Sequence, residues 1–121
     1  MDYMTKQELE DRLIDFAATI IIVASNFEKN YAGNHLSGQI IRSGTSPALN
    51  YGEAQSAESK KDFIDKMGIC LKELRETFVC LKIIGKANLT TDLKNLSKTQ
   101  IEVNELISIF VSSIKTSKNN S

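Results

Sequence analysis

Apolar residues recur at three- and four-residue steps along most of the chain, and this spacing predicts four amphipathic helices. We expect the helices at about residues 5–29, 35–55, 59–85 and 91–115. Strand-like alternation is absent and the links are short, so the pattern predicts an all-α fold. We expect an antiparallel up-down-up-down four-helix bundle that forms a single domain over residues 1–121, with a frayed polar tail at 116–121.

Each predicted helix has one apolar stripe that we assign to the core. The stripes consist of Leu9, Leu13, Phe16, Ile20, Val23, Ala24 and Phe27; Leu36, Ile40, Gly44, Ala48 and Tyr51; Phe63, Met67, Cys70, Leu74, Phe78 and Leu81; and Leu93, Leu96, Val103, Ile107, Phe110 and Ile114. The small residues Gly44 and Ala48 allow a neighbouring helix to approach closely. Pro47 lacks a backbone donor, so we expect the second helix to be kinked but continuous.

The ends of the helices carry capping and stop signals. Thr5 and Glu8 have the spacing of a capping box. We expect a break before the second helix, where Gly33 suits a positive φ and Asn34 suits an N-cap. The stretch at 85–88 has the composition of a stop for the third helix.

Further apolar residues lie outside the core stripes when the helices are drawn at about 100° per residue. These off-stripe residues are Ile14, Ile21 and Ile22 on the first helix and Ile69, Val79, Cys80 and Ile83 on the third. A second apolar surface on a small soluble protein usually marks a contact site. We therefore predict that these residues form a subunit interface, against the alternative that they widen the core of a monomer.

Charge is balanced overall but unevenly distributed. Fifteen Lys and Arg match fifteen Asp and Glu, which argues against a strongly basic nucleic-acid binder and against an acidic disordered chain. Residues 1–58 hold eight acids and four bases, whereas residues 59–121 hold seven acids and eleven bases. Three interpretations stay open: head-to-tail self-association, a weak polyanion site, and scatter over a solvated helical surface.

Two groups of lysines near helix ends are candidates for contacts with RNA or DNA, because neutralisation of phosphates drives such binding. The first group is Lys60, Lys61 and Lys66, and the second is Lys82, Lys86, Lys94 and Lys98. The alternative is that these lysines offset helix dipoles or lie on an ordinary exposed surface.

Little in the sequence supports catalysis or a cofactor. The single histidine, His35, is expected on the surface or at a helix cap, and it leaves no Ser–His–Asp set. Glycine-rich phosphate-binding motifs are absent. Cys70 and Cys80 are ten positions apart on one helix, too far for a disulfide, and we expect both to be reduced. We predict no enzyme, cofactor, metal, signal peptide or membrane span, and a cytoplasmic location.

A polar cluster follows the side of the second helix opposite its apolar stripe. It comprises Arg42, Ser46 and Glu53, with Asn50 at its boundary. The cluster is either a solvated face with local Arg–Ser and Asn–Glu hydrogen bonds, or a register-fixing network with Glu73, Glu76 or a second subunit. A metal site built from Glu53, Glu73 and Glu76 is a distant third hypothesis, because di-metal bundles use Glu-x-x-His pairs that this sequence lacks.

The same cluster carries a family resemblance. The stretch Gln39–Ala54 contains R-S-x-T-S-x-x-x-N-Y-x-E-A, and Lys61–Ile64 is followed by E-L-x-E-T at Glu73–Thr77. Together these motifs resemble the signature of the 23S rRNA intervening-sequence proteins, over nearly the whole chain. Pro47 departs from the pattern, since relatives often carry proline one place later or none. The matching polar residues are Arg42, Ser43, Thr45, Ser46, Asn50, Tyr51, Glu53, Glu73 and Glu76.

This resemblance implies a left-handed antiparallel four-helix bundle that assembles as a ring-shaped homopentamer without enzymatic activity. Members are encoded within bacterial 23S rRNA genes or as free-standing genes. A related branch, the accessory variability determinants of diversity-generating retroelements, binds a reverse transcriptase and nucleic acid through a positively charged barrel. We therefore expect a non-catalytic homo-oligomeric scaffold whose partner is its own subunits or another protein. Weak binding of RNA or DNA through the lysines is the alternative.

Overall fold

The computed structural model describes residues 4–120 and has four α-helices: α1 (Lys6–Ser25), α2 (Tyr31–Gln55), α3 (Lys60–Lys86) and α4 (Leu93–Asn119). Those residues include no strand, so the predicted all-α fold is confirmed. α2 packs between α1 and α3, and α3 packs on α4. α1 packs against α4 less extensively, and the backbones of α1 and α3 do not approach each other, so α1 and α3 lie diagonally across the bundle. No helix within this range has the length and apolarity needed to cross a bilayer.

The capping box predicted for α1 is present. The Glu8 N–H donates to the Thr5 hydroxyl at 3.0 Å, and the Thr5 N–H donates to the Glu8 carboxylate at 3.1 Å. The helix ends at Ser25, earlier than the expected boundary near Lys29. The reason is a long-range contact, because the Glu28 N–H donates to the Leu89 carbonyl at 2.8 Å and leaves the helical path.

The predicted break at Gly33 and Asn34 is wrong, because both residues lie inside the first turn and a half of α2. The N-cap is Asn30, whose side chain accepts the Gly33 N–H at 2.8 Å. Gly33 does not adopt a positive φ. Glycine is required there by space, since a Cβ would lie 1.8 Å from the Glu28 carbonyl oxygen.

α2 continues through Pro47 to Gln55, which confirms the expected continuity. Pro47 is buried, and its carbonyl accepts a hydrogen bond from the Cys70 thiol at 3.5 Å. Proline leaves one carbonyl of the preceding turn without its helical donor. The compact ring is therefore accommodated inside the bundle at the cost of one backbone hydrogen bond.

The ends of the last two helices depend on asparagine and aspartate. Asn88 takes the left-handed conformation, with φ 56°, just after α3, so the predicted stop is present but is made by Asn88. Asp92 caps α4 by accepting the Asn95 N–H at 3.3 Å. The expected frayed tail is not observed over residues 116–119, where α4 continues to Asn119; this segment has no Gly or Pro to break it. Ser121 lies outside the described residues.

The core draws side chains from all four helices. The whole predicted stripe of α1 is buried, and the Tyr51 ring of α2 meets the Phe110 ring of α4 edge-on, with centroids 6.0 Å apart. Leu93 is an exception, because this first residue of α4 is 62% exposed. Both thiols are free, as expected, and burial raises the pKa of Cys70 to about 12 and that of Cys80 to about 11.

α1 and α2 pack closely together at Gly44. A Cβ on this residue would lie 2.8 Å from both Cγ1 and Cγ2 of Ile20, closer than real Cβ contacts. Ile20 is fully buried and cannot move aside without displacing its own neighbours. The prediction that this glycine serves helix packing is therefore confirmed.

We expect Gly44→Ala to lower the free energy of unfolding by about 1–3 kcal/mol, because the added methyl group overpacks the α1–α2 contact. The matched control is Gly52→Ala in the same helix, where a Cβ would meet nothing within 4 Å. That variant should gain about 0.5–1 kcal/mol from the higher helix propensity of alanine. Urea denaturation followed by circular dichroism measures both, and equal effects would contradict the steric role of Gly44.

Candidate functional site

Two hydroxyl groups pair inside the bundle between α2 and α3. Ser43 and Thr77 are both completely buried, and their side-chain oxygens lie 2.8 Å apart. The Thr77 hydroxyl also lies 2.8 Å from the Glu73 carbonyl, to which it can donate while it accepts from Ser43. Because a buried polar group needs a partner, this pair links the two helices at one defined register.

Directly outside this pair, Arg42 bridges two carboxylates of α3. Its Nη1 donates to Glu73 Oε2 at 2.7 Å, and its Nη2 donates to Glu76. The pKa of Arg42 is raised, first by the hydrogen bond to Glu73 and then by the negative charges nearby, against some desolvation. The structure thus joins Arg42 to both carboxylates across the helix interface, instead of to a serine of its own helix.

Among residues 4–120, three further signature residues make side-chain hydrogen bonds only within α2. The Thr45 hydroxyl donates to the Ile41 carbonyl at 2.6 Å. The Asn50 amide donates to the Ser46 hydroxyl at 2.7 Å and to the Ser46 carbonyl at 3.1 Å. The solvated-face interpretation predicted a hydrogen bond between Asn50 and Glu53. Asn50 bonds to Ser46 instead.

The carboxylates proposed for a metal site point to different cations. Glu53 accepts from the Lys66 ammonium at 3.0 Å, whereas Glu73 and Glu76 receive Arg42. No group of three or more His, Cys, Asp and Glu between residues 4 and 120 is placed to hold a metal ion. Tyr51, the remaining signature residue, packs in the core.

A shallow groove of about 440 Å³ lies between α2 and α3, beside the Arg42 bridge. The lining residues are His35, Leu36, Gln39, Glu76, Val79, Cys80 and Ile83. Cys80 departs from the predicted interface set, because only 6% of it is exposed. Its thiol lies 4.0 Å from the Leu36 carbonyl, so the backbone of α2 covers it. His35 is exposed, as expected, and its ring stacks on Tyr31.

The other off-stripe residues are exposed and form two apolar surfaces. We define the α1 face as Asp11, Ile14, Asp15, Ala18, Ile21 and Ile22, and the α3 face as Ile69, Lys72, Arg75, Val79, Lys82, Ile83 and Lys86; all are exposed. Their branched apolar side chains are between 43% and 60% exposed. Leu49, Leu93, Ile101 and Val111 are also exposed, and the sequence patterns did not single them out as surface residues.

The candidate lysines differ in their surroundings. Lys61 pairs with Asp65 at 2.7 Å, and Lys66 pairs with Glu53. The Lys82 ammonium lies 4.4 Å from the centre of the Phe78 ring. The remaining candidates are exposed and have no ion-pair partner among residues 4–120: Lys60, Lys86, Lys94 and Lys98.

An ion-pair cluster that the sequence did not indicate joins α1 to α4. Arg12 donates from Nε to Glu102 at 2.7 Å, from Nη2 to Glu102 at 2.7 Å, and from Nη2 to Glu105 at 2.8 Å. The hydrogen bond to Glu102 is the largest cause of a raised Arg12 pKa. A groove of about 360 Å³ opens along this seam, with Asp15 and Lys98 among its lining residues.

The amino-acid sequence that builds this site matches a known family. The family model described as 23S rRNA-intervening sequence protein matches residues 5–111, which include every residue of the α2–α3 network. The chain belongs to this family. The resemblance inferred from the signature motifs is therefore confirmed.

A solved relative supports the same assignment. The crystal structure of a protein with unknown function from the S23 ribosomal protein family of Bacteroides thetaiotaomicron VPI-5482 is 30% identical to the chain, with a TM-score of 0.83. The match covers 93% of this chain and 99% of that chain. A comparison with curated proteins finds no match.

We expect Thr77→Val to lower the free energy of unfolding by about 1–3 kcal/mol, because the buried Ser43 hydroxyl loses its partner. Adding Ser43→Ala should cost less than the sum of the two single changes, since the pair is then removed as a unit. Thr116→Val, at an exposed position of α4, is the control and should stay within about 0.5 kcal/mol of wild type. Strictly additive losses in urea denaturation would contradict the link.

Proposed function

We propose that this family member is a non-catalytic homo-oligomeric scaffold whose copies associate through the α1 face and the α3 face. The main support is the exposure of six branched apolar side chains, three on each of two diagonal helices. Contiguous apolar surface of this kind on a small protein usually marks a contact site. The short links between α1, α2, α3 and α4 support the finer architecture that we propose, an antiparallel up-down-up-down bundle.

The free energy gained by burying these apolar side chains favours a closed ring over an isolated pair of copies. Burying the exposed half of an isoleucine contributes on the order of 1 kcal/mol, so the six side chains together supply on the order of 6 kcal/mol. Association of two proteins costs about 4–15 kcal/mol in lost freedom. A ring offsets that cost better than an isolated pair does, because each copy in a ring makes two contacts and no face is left uncovered. Our proposal of five copies comes from the family resemblance.

The polar groups support a structural role over a catalytic one. Arg42, Glu73 and Glu76 are engaged with one another, and Ser43 is paired with Thr77. Both thiols have a raised pKa because they are buried, so neither is an activated nucleophile at neutral pH. Free buried thiols also suit a reducing compartment, and we propose a cytoplasmic location.

We expect the wild-type chain to sediment as an oligomer at micromolar concentration. Ile21→Gln on the α1 face and Val79→Gln on the α3 face should each shift the protein towards the monomer, because each places a polar amide in the contact. The control is Leu49→Gln, an exposed position outside both faces, which should leave the mass unchanged. A wild-type monomer in light scattering would contradict the scaffold.

Binding of RNA or DNA is the alternative function. One observation favours it: Lys86, Lys94 and Lys98 lie near the α3–α4 link with no carboxylate partner between residues 4 and 120. The zero net charge and the pairing of Lys61 and Lys66 weigh against a strongly cationic surface.

For the scaffold, we expect no salt-dependent retention of RNA or DNA at about 50 mM salt, because too few cations converge to release counterions. A filter-binding titration with an RNA hairpin and a DNA duplex checks this. Retention that falls steeply with added salt and is lost on Lys94→Gln together with Lys98→Gln would favour the alternative.

A further inference from the structure

The two apolar faces carry opposite charges. Asp11 and Asp15 flank the isoleucines of the α1 face, and no base follows Arg12 on α1, while Arg12 itself is bound to the carboxylates of α4. Four bases flank the apolar residues of the α3 face: Lys72, Arg75, Lys82 and Lys86. The acids of α3 beside them, Glu73 and Glu76, are held by Arg42. An acidic apolar surface therefore lies on α1, and a basic one on α3.

This charge pattern opposes symmetric pairing of like faces. Two α1 faces in contact would bring Asp11 and Asp15 against their own copies, and two α3 faces would bring together lysines and an arginine. Like charges brought together at an interface disfavour the contact. Contact between an α1 face and an α3 face instead places carboxylates opposite ammonium and guanidinium groups, while the branched apolar side chains cover one another.

The position of the faces makes such a contact directional. α1 and α3 lie diagonally across the bundle and both faces are exposed, so a single copy cannot cover its α3 face with its own α1 face. Resting on the self-association proposed above, we infer that the α1 face of one copy docks on the α3 face of the next. Every copy then uses both faces in a head-to-tail interface. Such an interface builds a ring when its rotation closes, and a filament when it does not.

The apolar and charged groups have separate tasks in this interface. The isoleucines and valine supply the contact area, which is insensitive to salt. Exposed ion pairs contribute little affinity each, but they select the orientation and the partner face. Added salt should therefore weaken the preference for α1–α3 pairing more than it weakens apolar contact.

Charge reversal tests this pairing in the full chain. We expect Asp11→Lys with Asp15→Lys to weaken assembly about tenfold or more, and Lys72→Glu with Lys86→Glu to do the same, since each creates a like-charge contact. All four changes in one chain restore opposite charges and should recover most of the lost assembly. The control, Lys94→Glu with Lys115→Glu, makes an equal charge change at exposed positions of α4 outside both faces and should have no effect. Sedimentation velocity at low salt measures the assembly, and circular dichroism checks the fold.

The outcomes separate this inference from the scaffold. A wild-type monomer would contradict the proposed function, and the inference with it. An oligomer that tolerates either reversal, or that the fourfold variant fails to recover, would overturn the α1–α3 pairing and leave the scaffold standing. As a second measurement, in chains whose native Cys80 is replaced by alanine, a short bismaleimide should join an Ile14→Cys chain to a Val79→Cys chain when the two are mixed. It should not join two Ile14→Cys chains, and such a homotypic product would also overturn the inference.

Discussion

The alignment of α2 with α3 depends on one hydrogen bond between hydroxyls that water does not reach. Ser43 and Thr77 face each other, because a shift of either helix by one residue would leave the buried Ser43 hydroxyl without Thr77, which would keep only the Glu73 carbonyl of its own helix. Arg42 is the residue next to Ser43 along α2, and Glu73 and Glu76 lie one turn before and one residue before Thr77. Once the hydroxyls meet, the guanidinium is therefore carried to both carboxylates.

Much of the fold could be predicted from the sequence wherever local forces dominate. The apolar stripe of α1 repeats without interruption, and each of its predicted core residues is buried. The start of α2 could not be predicted in this way, because Asn30 and Asn34 are equally good caps in isolation. The choice depends on a contact between Glu28 and Leu89, which are far apart in the sequence. The seam formed by Arg12 and Glu102 was missed for the same reason.

The candidate site was predictable in its membership and less so in its connections. The polar cluster of the second helix led to one hypothesis that joined Arg42 to Glu73 and Glu76, and the structure brings the three side chains together. Helical phase alone grouped Cys80 with the exposed residues, because it lies at the edge of the apolar stripe of α3. Phase within one helix does not show that the backbone of α2 covers Cys80 at Leu36. Thr77 was part of the signature, but its pairing with Ser43 could not be predicted from the sequence. That prediction requires knowing which buried residues of α3 lie opposite which buried residues of α2.

The seam between α1 and α4 has a consequence for how the molecule moves. It is the least extensive helix pairing, it contains a groove, and side-chain bonds from Arg12 span it at one end. Regions with few buried contacts open before the rest of a domain unfolds. The protomer should thus open along the seam between α1 and α4, while α2 and α3 stay packed against each other. The helices that bear the two proposed docking faces would then differ in their dynamics, since α1 borders this cleft and α3 does not.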